Sequence, residues 1–465
     1  MISPIPELGS ADKIQVNFHM DHLCHDLVMK CSYHQPITFK SGANLSHLMA
    51  RITEELNDYK ERLASFSKNS KIFLLSHGLN TVSMGIFTVI LNLYILEMGF
   101  SVQFLGLIIS SHLILSSVFL LPGGAISDRI GRKNTFLLST VTMGISIFML
   151  STTRQRLLLI AANSLRGMST SLSNITVDPF MMEQSDDYER MHLFSFSAAL
   201  QSFSRMIGSL IGGILPAFFA FYILDLSVQY RYTLMTAGGF SLVALIPIIF
   251  IKEVKIGGDH ETASQPLFSG KRLFIIKFAV CSMIIGFGAG VIVPFFNVYF
   301  AQELHATATQ IGVMFSASEL SMAIASLVLP FVVKRFGKIG TTVITQFLSI
   351  PFLLLIMVTR QLAYAFCGFF MRMTLMNMSN PAQKNFYMDE IPEHERGKAN
   401  SVSQFGSTFS RAFGSDLGGY LIATGTFNHA FQVTTVLYMI GTTLFFFFFK
   451  DKEPDSRDSI NKKGN

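Results

Sequence analysis

The sequence predicts an all-α membrane protein with twelve transmembrane helices arranged as two pseudo-symmetric six-helix halves. Three observations predict this fold class: an apolar composition, long apolar runs, and a second half that repeats the first. Of the 465 residues, 50% are hydrophobic and only 14% are charged, whereas about 25% are charged in typical soluble domains. This composition excludes a secreted disulfide scaffold, a disordered chain and a typical nucleic-acid-binding protein.

Apolar windows of about 20 residues, the length that crosses the hydrocarbon core of a bilayer, define twelve spans. We expect the spans over 72–97, 104–126, 134–153, 157–182, 192–218, 232–251, 273–300, 310–333, 341–359, 362–388, 398–424 and 430–449. The predicted organisation is an extension (1–70), a first half (71–252), a linker (253–272), a second half (273–450) and a tail (451–465).

The Lys and Arg residues near the ends of the spans are unevenly distributed. Because the number of spans is even, both chain ends lie on one side of the membrane, and nineteen of these residues lie on that side. The opposite side has four. Cytoplasmic loops carry the excess of Lys and Arg in membrane proteins. The sequence therefore predicts a multi-pass cell-membrane protein with both termini in the cytoplasm.

An internal repeat relates the two halves. Adding 206 to a position in the first half repeatedly reaches the same residue in the second, as for Arg166 and Arg372 or Gly131 and Gly337. The segment 203–205, Phe-Ser-Arg, recurs at 409–411 in the same way. Near the first external loop the offset is 205. Two halves in the same orientation are typical of duplicated transporters.

The predicted loop between spans 2 and 3 carries the motif Gly-Ala-Ile-Ser-Asp-Arg-Ile-Gly-Arg-Lys over 124–133. Its notable residues are Gly124, Asp128, Arg129, Gly131, Arg132 and Lys133. A degenerate copy with Lys334, Arg335 and Gly337 lies between spans 8 and 9. With the length and span count, this closely resembles the major facilitator superfamily over about 71–450. The resemblance implies that superfamily's fold and transport by alternating access.

A glycine-rich motif in span 5 resembles a motif of particular branches of the superfamily. It comprises Gly208, Gly212 and Gly213, and its copy in span 11 comprises Gly414, Gly418 and Gly419. The motif resembles Gly-Pro-x-x-Gly-Gly of the bacterial and archaeal drug:proton antiporter-like branches, with Ser209 in place of Pro. Glycines at this spacing also allow close helix packing.

The loop motif is expected to form part of a cytoplasmic gate, or else only a topology anchor. Its basic residues can pair with Asp178 or Glu183 at the end of span 4. The repeat matches Asp128 with Lys334 and Asp178 with Lys384. We hypothesise that such opposite charges pair across the halves and stabilise the outward-open state. The alternative is that they are solvated surface charges of little energetic weight.

Ionisable residues inside predicted spans are candidates for function because a charge in lipid is costly. The embedded cations are Arg166, Arg205, Arg372 and Arg411, and the embedded acids are Glu319 and Asp416. His112, Asn80, Asn297 and Asn377 add hydrogen-bonding capacity. In the superfamily these spans line a central cavity, which the resemblance implies for this chain.

Glu319 is the leading candidate for a proton-carrying group, with Asp416 and His112 as further candidates. A carboxyl in a low-dielectric site can exchange a proton near neutral pH. The alternatives are a static ion pair of Glu319 with Arg205 or Arg372, and a packing role for His112. Four arginines against two acids make an anionic organic substrate one interpretation, because guanidinium groups bind planar anions and phosphates well. The alternative is that Arg205 and Arg411 pack against backbone carbonyls or against the acids.

The predicted function is secondary active transport of small organic molecules, with proton-coupled efflux by a monomer in the lipid bilayer as the leading interpretation. The alternatives are uptake or exchange of a sugar, carboxylate or organophosphate, and a sensor or lipid-handling protein on the same fold. No Walker-type, metalloprotease, nucleophile-elbow or kinase motif occurs in the sequence. We therefore expect no enzyme activity, no cofactor and no nucleic-acid partner.

The N-terminal extension differs chemically from the rest of the chain. Residues 19–34 contain four His and two Cys, but their spacing fits no standard zinc site, so no metal is expected. One alternative is that the true start is Met20 or Met49. Residues 45–67 are expected to form an amphipathic helix on the cytoplasmic membrane surface.

Overall fold

The computed structural model describes residues 66–120, 122–252, 271–392 and 395–452, and these ranges contain helices and no strand. The first half contains α1 (Lys68–Glu97), α2 (Val102–Leu120), α3 (Pro122–Ile130), α4 (Arg132–Thr152), α5 (Arg156–Glu183), α6 (Asp187–Phe219), α7 (Leu226–Val243) and α8 (Leu245–Ile249). The second half contains α9 (Arg272–Ile292), α10 (Phe296–Glu303), α11 (Ala308–Val358), α12 (Leu362–Met378), α13 (Asn380–Glu390), α14 (Arg396–Thr424) and α15 (Phe427–Phe449). Residues 45–65 of the amphipathic helix expected over 45–67 and most of the 253–272 linker lie outside the described residues.

The predicted fold class is confirmed, since each expected span coincides with helical structure. Four spans are pairs of helices placed end to end (α2 with α3, α7 with α8, α9 with α10, and α12 with α13). Spans 8 and 9 form the 51-residue α11, which is broken only at Gly337 (φ 73°, ψ 177°). Gly131, its repeat equivalent, separates α3 from α4 with φ 87° and ψ 153°. Both turns use a positive φ that glycine adopts without steric cost.

Hydropathy separates the helices into two groups. Among the described residues, eight helical stretches are long and apolar enough to cross a membrane, and one of them is α11 with its two spans. The polar helices α5 and α14 do not reach that threshold, and α12, which has 17 residues, is also not among the eight. They carry the buried Arg166 and Arg372 together with Arg411. Polar residues on these helices are expected to face other helices or a cavity rather than lipid.

Two membrane faces can be distinguished by the ends of the helices. At one face, α1 begins at Lys68, α15 ends at Phe449, and the chain turns at Gly131 and Gly337. We call this the basic face and the other one the opposite face. The opposite face carries the turns after α1 and α10. Gly99 (φ 87°) and His305 (φ 52°) are repeat equivalents that make these two turns in the same left-handed conformation.

The main hydrophobic core joins the two halves. It contains buried residues of α1, such as Ile86 and Ile90, together with Phe295 and Phe296 at the end of the seventh span. The Tyr94 hydroxyl donates to the Ser151 carbonyl oxygen at 3.0 Å. The equivalent bond in the second half joins Tyr299 and Ile356 at 2.6 Å. The duplicated sequence thus produces duplicated contacts.

Candidate functional site

An ion pair joins the two halves about midway along two of the predicted spans. Arg205 of α6 and Glu319 of α11 approach to 3.8 Å between Nε and Oε1. The Glu319 side chain is 16% exposed and that of Arg205 is 46% exposed. The expected alternative of a Glu319–Arg205 ion pair is therefore present. The length of the contact and the exposure of Arg205 leave the carboxylate only partly neutralised by its partner.

Arg166 of α5 is buried, with 8% of its surface exposed. Its Nε donates to Asn163 Oδ1 at 2.9 Å, and its guanidinium lies 4.3 Å from the centre of the Phe87 ring. Aromatic rings attract guanidinium groups through their negatively charged faces. Within the described ranges the Arg166 guanidinium has no carboxylate partner.

Arg372, the repeat equivalent on α12, is 2% exposed. One of its terminal nitrogens donates to the Tyr438 hydroxyl at 2.6 Å, and the Phe296 ring centre lies 5.5 Å away. Its Nε has no hydrogen-bond partner in the described part of the chain. Both arginines are thus held by neutral groups, and their positive charges are not balanced by a described carboxylate.

The three candidate asparagines have different environments. Asn80 accepts a hydrogen bond from the Ser241 hydroxyl at 3.1 Å, which ties α1 to α7. Asn377 donates to the Met373 carbonyl oxygen of its own helix at 2.8 Å. Asn297 is 1% exposed and bonds to the opposite half. The amide groups of Asn80 and Asn297 serve in contacts between helices.

The remaining candidates divide by exposure. Asp416 and Arg411 are exposed on α14, and neither has a described ion pair. His112 on α2 lies against α5, and a Cβ placed on Gly167 would come within 2.2 Å of the His112 carbonyl oxygen. Its Nδ1 is buried without a described partner. The described residues therefore do not bring Asp416 or His112 into the Arg205–Glu319 pair.

His77 is a buried titratable residue that the sequence-based candidates did not include. It is 8% exposed on α1, and neither ring nitrogen has a hydrogen-bond partner among the described residues. The Phe73 ring is stacked on it with centroids 5.9 Å apart. A search for every ionisable residue inside the first span would have found it.

Arg132 organises the basic-face loop of the first half. It contacts Asp128 at 2.8 Å and Glu183 at 3.1 Å, and it donates to the Ser127 hydroxyl at 2.8 Å. Lys133 donates to the Ile249 carbonyl oxygen at 3.1 Å. The loop is therefore tied to the ends of α5 and α8.

The second half repeats this ion pair. Lys338, the equivalent of Arg132, pairs with Asp389, the equivalent of Glu183. The 206-residue offset relates both members of the pair. The internal repeat of the sequence therefore also predicts the Lys338–Asp389 pair.

The charges hypothesised to pair across the halves are exposed in this structure. Asp128 is paired within its own half, with 57% of its side chain exposed. Asp178, Lys334 and Lys384 are also exposed. Their pairing across the halves is thus not a feature of the conformation described here, and it remains a prediction about another state.

The glycine motifs pack helices together within each half. A Cβ on Gly208 would lie 2.2 Å from the Val82 carbonyl oxygen, and one on Gly414 would lie 2.1 Å from that of Phe287. Contacts under 3.0 Å are not available to real Cβ atoms. The absent side chains therefore allow α6 to pack on α1 and α14 to pack on α9. Gly212 and Gly418 make similar contacts with Ile86 and Val291.

The last glycine of each motif packs between the halves. A Cβ on Gly213 would lie 2.9 Å from Gly312 Cα, and one on Gly419 would lie 2.9 Å from Gly106 Cα. The repeat relates Gly213 to Gly419 and Gly106 to Gly312, so the two pairs are pseudo-symmetric copies of one contact. Both pairs lie near the opposite face.

A second contact between the halves joins two repeat-equivalent asparagines. Asn92 donates to Asn297 Oδ1 at 2.9 Å and to the Pro294 carbonyl oxygen at 2.6 Å. Asn297 donates to the Val89 carbonyl oxygen at 3.0 Å. These bonds and the glycine pairs close the halves against each other at the opposite face.

Most of the chain matches the sequence profile of a known protein family. The model of the Major Facilitator Superfamily matches residues 73–277 and 278–464. The chain belongs to the major facilitator superfamily. The predicted family, a transporter family rather than an enzyme family, is thereby confirmed.

Individual relatives of this superfamily member are distant. It is 22% identical to the quinolone resistance protein NorA of Staphylococcus aureus strain COL over 81% of this chain and 94% of the relative. Against the protein of the same name from strain MRSA252, the match covers 55% of this chain and 63% of the relative. The chain thus spans less than two thirds of that relative.

The crystal structure of the nucleoside transporter NupG matches with a TM-score of 0.68 and 13% identity, over 83% of this chain and all of that one. This likeness shows the shared superfamily fold.

Proposed function

We propose that the protein exports small organic molecules in exchange for protons by alternating access of its two halves. The observation that carries this proposal is the Arg205–Glu319 pair, which joins the halves near the membrane centre. Glu319 has Leu113 as its repeat equivalent, so the duplicated architecture alone does not require a carboxylate there. The similarity to NorA, a quinolone resistance protein, supports export of organic compounds.

The basic face is proposed to be cytoplasmic, because Lys and Arg near the spans are concentrated there. With the opposite face closed by the asparagine and glycine contacts, the structure then corresponds to an inward-open state. A compound would enter from the cytoplasm and reach the partly exposed Arg205 side chain. We propose that the protein acts as a monomer, because one chain contains both halves.

Glu319 is proposed to couple the two fluxes. When Glu319 binds a proton, its carboxylate loses the charge that attracts Arg205. The contact between the halves then weakens, and Arg205 becomes available to an acidic or polar group of the substrate. Return of Glu319 to the ionised form restores the pair. One protonation site thereby changes both a contact between the halves and the charge of the cavity.

The test uses purified protein in liposomes with an imposed pH gradient and a pH-sensitive dye inside. Cationic, neutral and anionic organic compounds are added to wild-type protein, Glu319→Gln and Glu303→Gln. Glu303 is the matched control because it is a carboxylate on the opposite face, paired with Arg360 at 2.9 Å. We expect compound-dependent proton movement in the wild type and the control, and its loss in Glu319→Gln.

A second candidate function rests on Arg166 and Arg372. Their unbalanced buried charges favour an organic anion, such as a carboxylate or an organophosphate, which would be taken up or exchanged. Compound flux without proton movement, equal in all three proteins, would support this alternative. It would also make Glu319 a structural partner of Arg205.

A further inference from the structure

A cavity of about 550 Å³ lies between the two halves at the opposite face. This volume falls within the range of about 300–1,000 Å³ that is typical of small-molecule sites. The first half contributes the end of α1, the end of α6 and the start of α7, and the second half contributes residues 301–302 and 305–309. The Arg205–Glu319 pair does not line it. The cavity is therefore separate from the proposed transport site.

The lining of the cavity is mostly apolar and carries one carboxylate. Leu93, Pro216 and Tyr230 are among its apolar and aromatic residues, and Glu97 supplies the carboxylate. The arginines of this face, Arg154, Arg156, Arg231 and Arg360, do not line it, whereas His305 does. Glu97 is exposed, and no described residue forms an ion pair or hydrogen bond with it.

The cavity exists only while the opposite face is closed. Its two walls belong to different halves, and Leu93 directly follows Asn92, whose side chain bonds to the second half. Opening of the opposite face would separate Glu97 and Tyr230 from His305 and Thr309. A molecule bound between the walls would therefore stabilise the closed conformation.

We propose that this cavity binds amphipathic organic cations and that binding holds the opposite face closed, which inhibits transport. The cationic group pairs with Glu97, and the apolar body occupies the space beside Leu93 and Tyr230. The inference goes beyond the proposed function, because it concerns an inhibitory site that can exist whether or not the transporter is coupled to protons.

The test measures binding of benzyltrimethylammonium, a permanently charged aromatic cation, to purified protein by titration calorimetry. Removing a partly solvated ion-pair partner is expected to weaken binding about tenfold in Glu97→Gln. Glu97 is exposed, so this substitution is not expected to impair folding. Glu303→Gln, a change of the same type on the same face, is expected to bind like the wild type.

Binding at the proposed transport site is distinguished by Glu319→Gln. Unchanged affinity in Glu319→Gln together with weakened binding in Glu97→Gln supports the proposal. Equal affinity in wild type and Glu97→Gln, or loss of binding only in Glu319→Gln, overturns it. Spin labels at Gln155 and Gln361 on the opposite face give a second readout. When the cation is added, the distribution of distances between the two labels should shift towards shorter distances. A shift towards longer distances would contradict the proposal.

Discussion

Glu390 and Gln184 occupy equivalent positions in the two halves. Both connect spans of their own half, Gln184 through a hydrogen bond and Glu390 through ion pairs. Gln184 accepts a hydrogen bond from Asn69 at 2.9 Å, and Asn69 also bonds to the backbone of Lys252. Glu390 instead pairs with Lys271 at 3.1 Å and Lys452 at 3.2 Å. Each residue ties the first, fourth and sixth spans of its half together at the basic face. Only the second half does so with charge.

This difference predicts a pH-dependent stability. Partial burial raises the pKa of Glu390, but hydrogen bonds from Lys271 and Lys452 outweigh it and hold the pKa below the ordinary value of 4.5. A carboxyl with a lowered folded-state pKa stabilises the protein above its unfolded-state pKa. That stabilisation is lost as the pH falls through the folded-state value. We expect Glu390→Gln to melt about 1–3 °C below wild type at neutral pH.

The measurement is thermal unfolding in detergent from neutral pH down to about pH 3. The gap between wild type and Glu390→Gln should close below pH 4.5. Asp451→Asn is the control, since Asp451 is an exposed carboxylate next to Lys452 and no described ion pair involves it. A gap that stays constant with pH would show that the charge of Glu390 contributes nothing.

At the residue scale the sequence located buried ionisable groups better than it predicted their partners. Ionisable residues inside spans identified Arg166, Arg372 and Glu319, because such residues are costly in lipid. Their partners depend on helix rotation and on contacts between the halves, which periodicity does not specify. The Asn92–Asn297 bonds illustrate this point. The repeat matched the two residues, but only the structure shows that equivalent residues meet at the pseudo-symmetry axis.

At the element scale, glycine determines how closely the helices approach. Gly208 and Gly414 pack helices within a half, whereas Gly213 and Gly419 pack helices between the halves. The same short motif therefore packs helices within a half at one position and between the halves at another. The sequence indicated close packing for the whole motif but not this division.

We predict different consequences for the two kinds of glycine. Gly414→Ala would place a Cβ 2.1 Å from the Phe287 carbonyl oxygen, inside one half, and overpacking costs about 1–3 kcal/mol or more. Gly213→Ala would place one 2.8 Å from the Ala308 carbonyl oxygen, between the halves. It should leave folding largely intact and favour opening of the opposite face.

Thermal unfolding and cysteine labelling on the opposite face measure these two effects. Gly239→Ala is the control, because no atom lies within 4 Å of its added Cβ. A Gly414→Ala protein as stable as Gly239→Ala would contradict the packing argument. Unchanged labelling in Gly213→Ala would contradict the assigned role of that contact.

The boundaries of the elements were largely predictable, because long apolar runs and glycine turns are local signals. The repeat added the second turn at Gly337, which the structure shows in the same left-handed conformation as Gly131. The sequence did not show that α11 would continue through this turn with only one residue out of helical geometry. That depends on how tightly the two flanking helices approach.

At the scale of the whole molecule, the two halves are joined from the membrane centre to the opposite face. The Arg205–Glu319 pair, the Asn92–Asn297 bonds and the glycine pairs form these contacts. At the basic face, Asp178 and Lys384 are exposed. Our account requires that these two faces open in turn, and it predicts that the cross-half charge pairs form in the other state.

One measurement tests this account most directly. Spin labels at the repeat-equivalent positions Asn174 and Asn380 report the separation of the halves towards the basic face, and labels at Gln155 and Gln361 report it at the opposite face. All four residues are exposed. We predict that lowering the pH, or substituting Glu319→Gln, shortens the first distance and lengthens the second in the same preparation. Distances that stay fixed, or that change in the same direction, would contradict alternating access coupled to Glu319.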